Sequence, residues 1–454
     1  MTDSSKFVKK SNDTANINLR LNDDKDNIEL IRKKNVIALS TEMMLLQLIP
    51  LGIAKFITKP GWEEISFRSW WENIKHGFTY DTDNFLTNHF SHPYHGNLYF
   101  NAARTNGYGF WESAPFAFLG SAVWEYFAET FRPSINDWIN TSVSGVNLGE
   151  MTYRISNMIT DNRARGFERV WREILGGLVN PVRGVNRLIT GEASRVYANT
   201  PFRKPKYFSF SVNGGIRRII NQGSDITRNT FLEGLFGFDV NYGDQFESDL
   251  KIPFSIFFVT ASISNKSSYR VSDLRSYGIL TGWKLRDDEK VKHSFSILLS
   301  YDFASNSAYE FGGPSLSANL GSKYEFNKKF NVIGNVNVGT LLMGGTPDDF
   351  YNGAEGRNYD LGTGLIARAY ASFNGPGWQY ASLSYTTFWF WTQSGTPGSK
   401  HHVYNFNATG TLPINAYFAI GGSLGTYWRT SRYPIQGEIR RTSPIARIFA
   451  IFKF

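Results

Sequence analysis

The chain has 454 residues, with 37 Phe, 23 Tyr, 12 Trp, 42 Gly, 6 Met and no Cys, enough for a barrel-sized unit of about 250 residues and one further region. A slightly negative mean hydropathy excludes a bundle of membrane-spanning helices, each of which needs about 20 mostly apolar residues. The formal charge of +9 does not mark a nucleic-acid binder, because no Lys/Arg cluster sits in a recognisable nucleic-acid motif; a basic surface against anionic lipid headgroups is the simpler reading.

Residues 1–34 include SNDTANINLRLNDDKDN, too poor in large apolar side chains to form a core, and are expected to be a flexible arm. The same stretch lacks the basic, apolar leader that an exported protein carries. Residues 35–200 form the second expected unit, a helical region. Its first segment, 36–56, is apolar enough for a buried helix, although Glu42, Gln47 and Pro50 interrupt it and argue against independent membrane crossing. Helices are expected near 62–76, 99–104, 113–131, 149–158 and 164–174. The third of these, SAPFAFLGSAVWEYFAETF, is apolar round most of its circumference and should be buried. Pro133-Ser134-Ile135-Asn136-Asp137 reads as a helix start capped by Ser134, Asn136 or Asp137.

From residue 201 onward the periodicity becomes two. Phe295, Ile297, Leu299, Tyr301 and Phe303 share one face of a strand, and Ser294, Ser296, Leu298, Ser300 and Asp302 the other. Similar alternation gives strands near 206–217, 231–243, 253–264, 272–286, 291–304, 314–327, 329–342, 357–373, 378–391, 402–412, 415–429 and 443–454. Segments of about 10 to 15 residues exceed the soluble norm of about 5 to 6. Their even number suits a single-chain barrel with both termini on one side. Trp283, Tyr324, Trp389, Trp391 and Trp428 fall near strand ends, where interfacial girdles belong, and the chain stops at Phe454. The expected fold is a membrane all-β unit with a helical N-terminal region: a transmembrane antiparallel β-barrel of about 12 strands over 201–454, with helices plugging or capping the lumen. Apolar Phe388, Phe390, Phe449 and Ile451 on the lumen side point to a filled interior rather than a water-filled pore.

Four of the seven histidines, His76, His89, His92 and His95, cluster beside Asp81 and Asp83. The spacing of His89, His92 and His95 would allow three imidazoles to approach a divalent metal, with Asp83, Glu112 or Glu125 adding a carboxylate. Pro93 and Gly96 work against one regular helical face, and a hydrogen-bonded polar network is the plainer expectation. His92, His95, Glu112 and Glu125 are the candidate catalytic residues. Ser91, Ser113 and Ser121 lie near, but no Gly-x-Ser-x-Gly elbow is present.

His92-Pro93-Tyr94-His95-Gly96, Tyr99-Phe100-Asn101-Ala102-Ala103-Arg104 with Gly107, Phe110-Trp111-Glu112-Ser113, Trp124-Glu125-Tyr126, Pro133 to Asp137 with Gly145 and Gly149-Glu150, and Asn180-Pro181-Val182-Arg183-Gly184 with Asn186-Arg187 together resemble a bacterial outer-membrane family known as domain of unknown function 3943. The resemblance covers about residues 60–195. It implies an outer-membrane setting and leaves the activity open; its polar residues Asn101, Arg104, Ser113, Asn136, Asp137 and Glu150 would line any site. Three roles follow as expectations: a structural or binding component with a helix-filled lumen, an envelope lipid-modifying hydrolase with a His/Glu site, or a passive channel for small solutes. The expected partners are outer-membrane lipid and lipopolysaccharide and other outer-membrane or periplasmic proteins, with no nucleic acid.

Overall fold

The computed structural model describes residues 18–19, 30–31, 34–199, 203–223, 228–267, 270–353 and 356–454. Most of the arm expected over 1–34 lies outside the described residues.

Twelve antiparallel strands close a barrel: β1 Phe208–Gly223, β2 Asn229–Tyr242, β3 Phe257–Ser264, β4 Val271–Asp287, β5 Val291–Ser305, β6 Glu310–Glu325, β7 Asn331–Pro347, β8 Tyr359–Gly375, β9 Trp378–Ser394, β10 Lys400–Pro413, β11 Phe418–Tyr433 and β12 Gly437–Lys453. Each strand pairs with the next, and β12 returns to β1. Closure gives every strand two neighbours, the condition for placing a sheet in hydrocarbon. The twelve expected strands are present, with shifted ends. β1 continues through Arg218-Ile219-Ile220-Asn221-Gln222 to Gly223 and β12 begins at Gly437 with Glu438-Ile439-Arg440-Arg441-Thr442, stretches without a regular apolar alternation. β3 begins at Phe257, since the residues before it form a turn.

The two faces of the wall can be told apart by what crosses the interior. The Arg368 side chain on β8 donates to Ser300 and Asp302 on β5, so Ser300 and Asp302 point inward. Tyr309, in the β5–β6 turn, accepts from Arg275 Nη2 on β4 at 3.2 Å and Asn405 Nδ2 on β10 at 3.3 Å, and its ring stacks on Tyr427 of β11 at 3.7 Å. Strands β4 and β10 stand on opposite sides of a twelve-strand ring, so these contacts cross the lumen. Phe311 and Phe388 meet at 4.0 Å and pack with Leu341, Ile366, Phe390 and Val403. Arg217 pairs with Glu233 at 2.6 Å and Asp273 at 3.2 Å.

The opposite parity faces out. Leu316, Val336, Val338, Leu365, Leu383, Leu424 and Ile448 are exposed there, with Trp283 and Tyr324 near one end and Trp389 and Trp391 near the other. An apolar band between aromatic girdles is the outer surface of a membrane barrel.

The helical region comprises α1 Val36–Ile53, α2 Phe67–His76, α3 His92–Thr105, α4 Phe110–Val123, α5 Ile135–Ile139, α6 Gly145–Ile159, α7 Gly166–Val179 and α8 Pro181–Ile189. Local chemistry explains several ends. Ser66 and Ser69 form a reciprocal cap on α2, Ser134 caps α5, and Asn180 caps α8 with Pro181 in its first turn. These helices meet the wall through Leu299, Tyr301 and Phe303, neighbours in alternation of the inward Ser300 and Asp302. Tyr301 donates to the His89 carbonyl, Phe303 packs on Phe85 and Phe90, and Asn147 Nδ2 donates to the Leu299 carbonyl at 3.2 Å. Val240, Tyr242, Phe257 and Val259, on the same outer face, are covered by Phe100, Phe110, Val146 and Met151. The barrel with helices before it is found as expected. The lumen is filled, but by the barrel's own side chains, and the helices lie along the outer wall and touch its rim. A strand pattern of period two names two faces without saying which of them the helices cover.

Two further expectations change. The 36–56 segment is not a buried helix: in α1 only Leu39 is buried, while Ile37, Met44, Leu48 and Ile49 are exposed. In α4, Ala117 and Gly120 are buried, but Trp111 and Leu119 face outward.

Candidate functional site

The site lies in the helical region at the barrel rim remote from the termini, where three wide π-helical turns converge. These are Thr87–Ser91 before α3, Trp124–Ala128 after α4 and Asn140–Ser144 between α5 and α6. Such turns insert an extra residue and rotate the side chains that follow, and they concentrate at functional positions. Here they bring Asn88, His89, Glu125 and Asn140 into the interior, each almost fully buried.

Asn136 holds the centre. Its Nδ2 donates to Asp81 Oδ1 at 2.8 Å, Asp137 Oδ1 at 2.9 Å and Asn88 Oδ1 at 3.0 Å, while its Oδ1 accepts from Ser134 Oγ at 2.8 Å and the Asp81 amide at 3.2 Å. Asn88 Nδ2 donates to Asp81 Oδ1 at 3.0 Å and Tyr359 Oη at 2.6 Å. The Ser134 amide donates to Glu125 Oε2 at 2.8 Å. His92 Nε2 stands 3.5 Å from Asp137 and 3.8 Å from Asp83, close enough for charge attraction and too long for a tight hydrogen bond. The barrel completes the enclosure: Arg357 Nη1 donates to the Asp81 carbonyl at 2.6 Å and Tyr359 Oη to the Asp83 carbonyl at 2.8 Å.

Four carboxyls, Asp81, Asp83, Glu125 and Asp137, thus gather round one imidazole, with Glu129 beside Glu125. Burial pushes Glu129 up to about 8, helped by the charges of Asp83 and Asp81. Burial, then Glu129, holds Glu125 well above the ordinary carboxyl range. Burial with the charges of Asp81 and Glu125 does the same for Asp137. Burial pulls His92 down, but its contact with Asp83 and the charges of Glu125, Asp83 and Asp81 outweigh this, so its net shift is upward. Carboxyls that keep protons at neutral pH beside an imidazole that prefers to be charged can give and take protons near pH 7, the property acid–base chemistry needs.

The remaining sequence candidates scatter. His89 is enclosed by Phe85 and Tyr359 and seats against the paired Gly312 and Gly345 of the outer wall, where a Cβ would collide with its ring; burial lowers it to about 3. His95 stacks on Tyr99, meets Trp124 edge-on and faces the Leu46 carbonyl; burial lowers it to about 4. His89, His92 and His95 therefore do not share a metal, and among the described residues no group of three His, Cys, Asp or Glu is placed to hold one. The π-helical turn before α3 sends the three rings to different neighbours. Glu112 is exposed, caps Gly109 and pairs with Lys34 at 2.6 Å, far from Glu125 in role. Asn136 and Asp137 are in the site. Asn101, Arg104 and Glu150 belong to a separate clamp: Asn101 bonds Asn97, Thr152 and Asn180, and Arg104 and Arg154 share Glu150. Ser113 bonds the Tyr108 carbonyl. Sequence reasoning missed Asn88, Glu129, Arg357 and Tyr359. Glu129 follows Glu125 by four residues and was open to notice; Arg357 and Tyr359 lie in the barrel and give no local signal.

Residues 77–182 match the family model described as Domain of unknown function (DUF3943), so the helical region carries this domain; the match ends before Arg183, Asn186 and Arg187. No curated protein matches the chain. Among solved structures, the NanC porin is 10% identical, with 53% of this chain and 100% of that chain covered at a TM-score of 0.26. The outer membrane channel DcaP of Acinetobacter baumannii is 9% identical, with 55% and 99% covered at 0.24. The Pseudomonas putida toluene transporter TodX is 8% identical, with 55% and 90% covered at 0.19. No role is taken from these likenesses.

Proposed function

We propose that this chain is an outer-membrane barrel that does not conduct and that works through the DUF3943-bearing helical region fastened to its wall, as a structural or binding component of the envelope. The observation that carries this reading is the bridge across the lumen, Arg275 to Tyr309 to Asn405 with Tyr427 stacked on Tyr309. A solute channel needs a polar, open path there. With the termini on the periplasmic side, as in single-chain bacterial barrels, the site faces the outer leaflet and its lipopolysaccharide. Wild-type protein in planar bilayers is expected to give no steady current, and Tyr309→Ala combined with Tyr427→Ala to give measurable openings; large, steady single-channel currents from the wild type would refute the reading.

The carboxyl–imidazole cluster favours a second reading, an envelope lipid-modifying hydrolase. In it, charged His92, held by Asp83 and Asp137, gives its proton to the departing oxygen of an ester, and the ionised form of Glu125 takes the proton of the attacking water. Release of fatty acid from outer-membrane lipid, lost in Glu125→Gln and in His92→Ala while the barrel remains folded, supports it; equal release by both variants and the wild type sinks it.

A further inference from the structure

Amphipathic helices on a globular protein turn their apolar stripe inward. Here two of them do the reverse. On α7, Phe167, Val170, Trp171, Ile174, Leu175 and Leu178 recur at helical spacing and are exposed, Phe167 by 82% and Leu178 by 72%. The buried side of the same helix carries Arg169, whose guanidinium donates to the carbonyls of Asp161 and Ala193 and pairs with Glu173. On α2, Phe67, Trp71 and Ile74 form an exposed stripe, while Asn73 is buried against the carbonyls of Tyr126 and Glu129.

The two helices sit at opposite ends of the barrel. The end of α6, against which α7 packs, is tied by Arg154 to the Pro253 carbonyl in the β2–β3 turn, on the side of the termini. α2 adjoins the site at the far rim. Between them runs α1: Glu42 near its start accepts from Asn186 on α8, and Lys55 beyond its end faces Glu64. The apolar run Val36–Thr58 is 23 residues long, with Leu39 and Ala54 its buried residues. At about 1.5 Å per residue it is long enough for a hydrocarbon layer of about 30 Å.

We infer that the helical domain is itself embedded in the bilayer beside the barrel, with phospholipid acyl chains as the occupant of its outer face. α1 crosses the hydrocarbon, and α7 and α2 lie in the two interfaces with their apolar stripes toward the chains. What decides the occupant is continuity: α6 and the turn before it cover Leu299, Tyr301, Val240 and Val259 on the lipid-facing side of the wall, so the domain that covers them stands at the same depth as the exposed Leu424 and Ile448 around the ring. Acidic and basic side chains paired inside such a domain, as Arg104–Glu150–Arg154 are, fit the requirement that polar groups in lipid be satisfied internally.

The absence of cysteine makes the test clean. Full-length protein with a nitroxide on a single Leu48→Cys, Phe167→Cys, Leu178→Cys or Trp71→Cys is reconstituted in phosphatidylcholine vesicles, and spin relaxation by oxygen is compared with relaxation by a water-soluble nickel chelate. Leu424→Cys on the outer wall and Glu289→Cys in a turn serve as lipid and water references. Position 48 is expected to match 424, with oxygen favoured several-fold over nickel relative to 289, and positions 71, 167 and 178 to fall between the references. Readings at 48, 167 and 178 equal to 289, with 424 still in lipid, overturn the inference while leaving the barrel intact. A water-like reading at 424 overturns both.

Discussion

The barrel interior and the rim site of the helical domain handle charge in opposite ways. In the barrel, charges are spent in pairs: Arg217 with Glu233 and Asp273, Arg368 with Asp302, Arg429 with Asp349. The helical domain pairs charge too, in Arg104–Glu150–Arg154 and in Arg187 with Glu173 and Glu192, but at the rim it gathers four carboxyls around a single histidine. Compensated charge is what a filled interior uses; carboxyls held neutral by burial are where proton transfer becomes available.

The largest effect that would break this contrast is expected from Gly96→Val. Gly96 on α3 passes so close to Thr141 and Gly145 that any Cβ overlaps the Thr141 carbonyl. The clash should cost about 3 kcal/mol or more and loosen the helical domain alone. Limited proteolysis should then cut within residues 35–199 while the barrel keeps its heat-dependent gel mobility; joint loss of both would show that the two regions fold as one. Arg217→Ala addresses the other side. It strands buried Glu233 and should cost the barrel about 3–5 kcal/mol, read as a lower urea midpoint in detergent, with helical-domain proteolysis unchanged.

Glu129→Gln sharpens the contrast through pH. Its carboxyl is raised from 4.5 to about 8 in the folded state, so the stability it contributes is complete below about 4.5 and falls as pH rises toward about 8, where the unfolded chain is ionised and the folded one resists it. The variant should therefore raise the melting temperature of the helical domain by roughly 3–6 °C at pH 8 and change little at pH 4. A gain equal at both pH values would contradict the account of a carboxyl raised by burial and, after it, by its charged neighbours. The smallest effect belongs to Glu112→Gln, which removes a half-exposed pair with Lys34 and should cost less than about 1 kcal/mol by thermal melting, with site chemistry untouched.

How much of this could be read beforehand follows from where the signals live. The strands announced themselves because Phe295 to Phe303 alternate with Ser294 to Asp302, and lipid on one side demands that pattern along the whole strand. The ends of β1 and β12 were missed because lipid does not reach them. In the helical region, the stretch from Asp81 to His95 and the motif Ser134-Ile135-Asn136-Asp137 pointed to the right neighbourhood. The assignment of His89 and His95 as ligands failed because ring direction depends on the π-helical turns, which sequence spacing at a regular helical period does not anticipate. The side of the wall on which the helices rest was illegible for a simpler reason: Leu299, Tyr301 and Phe303 suit a bilayer and a packed helix equally well.

The placement of the helices is tested most directly by proximity across the wall. Asn147 on α6 lies against Ser276 of β4, with Ser276 Oγ 3.4 Å from Asn147 Oδ1, whereas the adjacent Arg275 reaches into the lumen toward Tyr309. In full-length protein, a short bis-maleimide should join Asn147→Cys to Ser276→Cys and leave Asn147→Cys with Arg275→Cys unlinked. Efficient linkage of the second pair with failure of the first would put the helices inside the barrel and contradict the account.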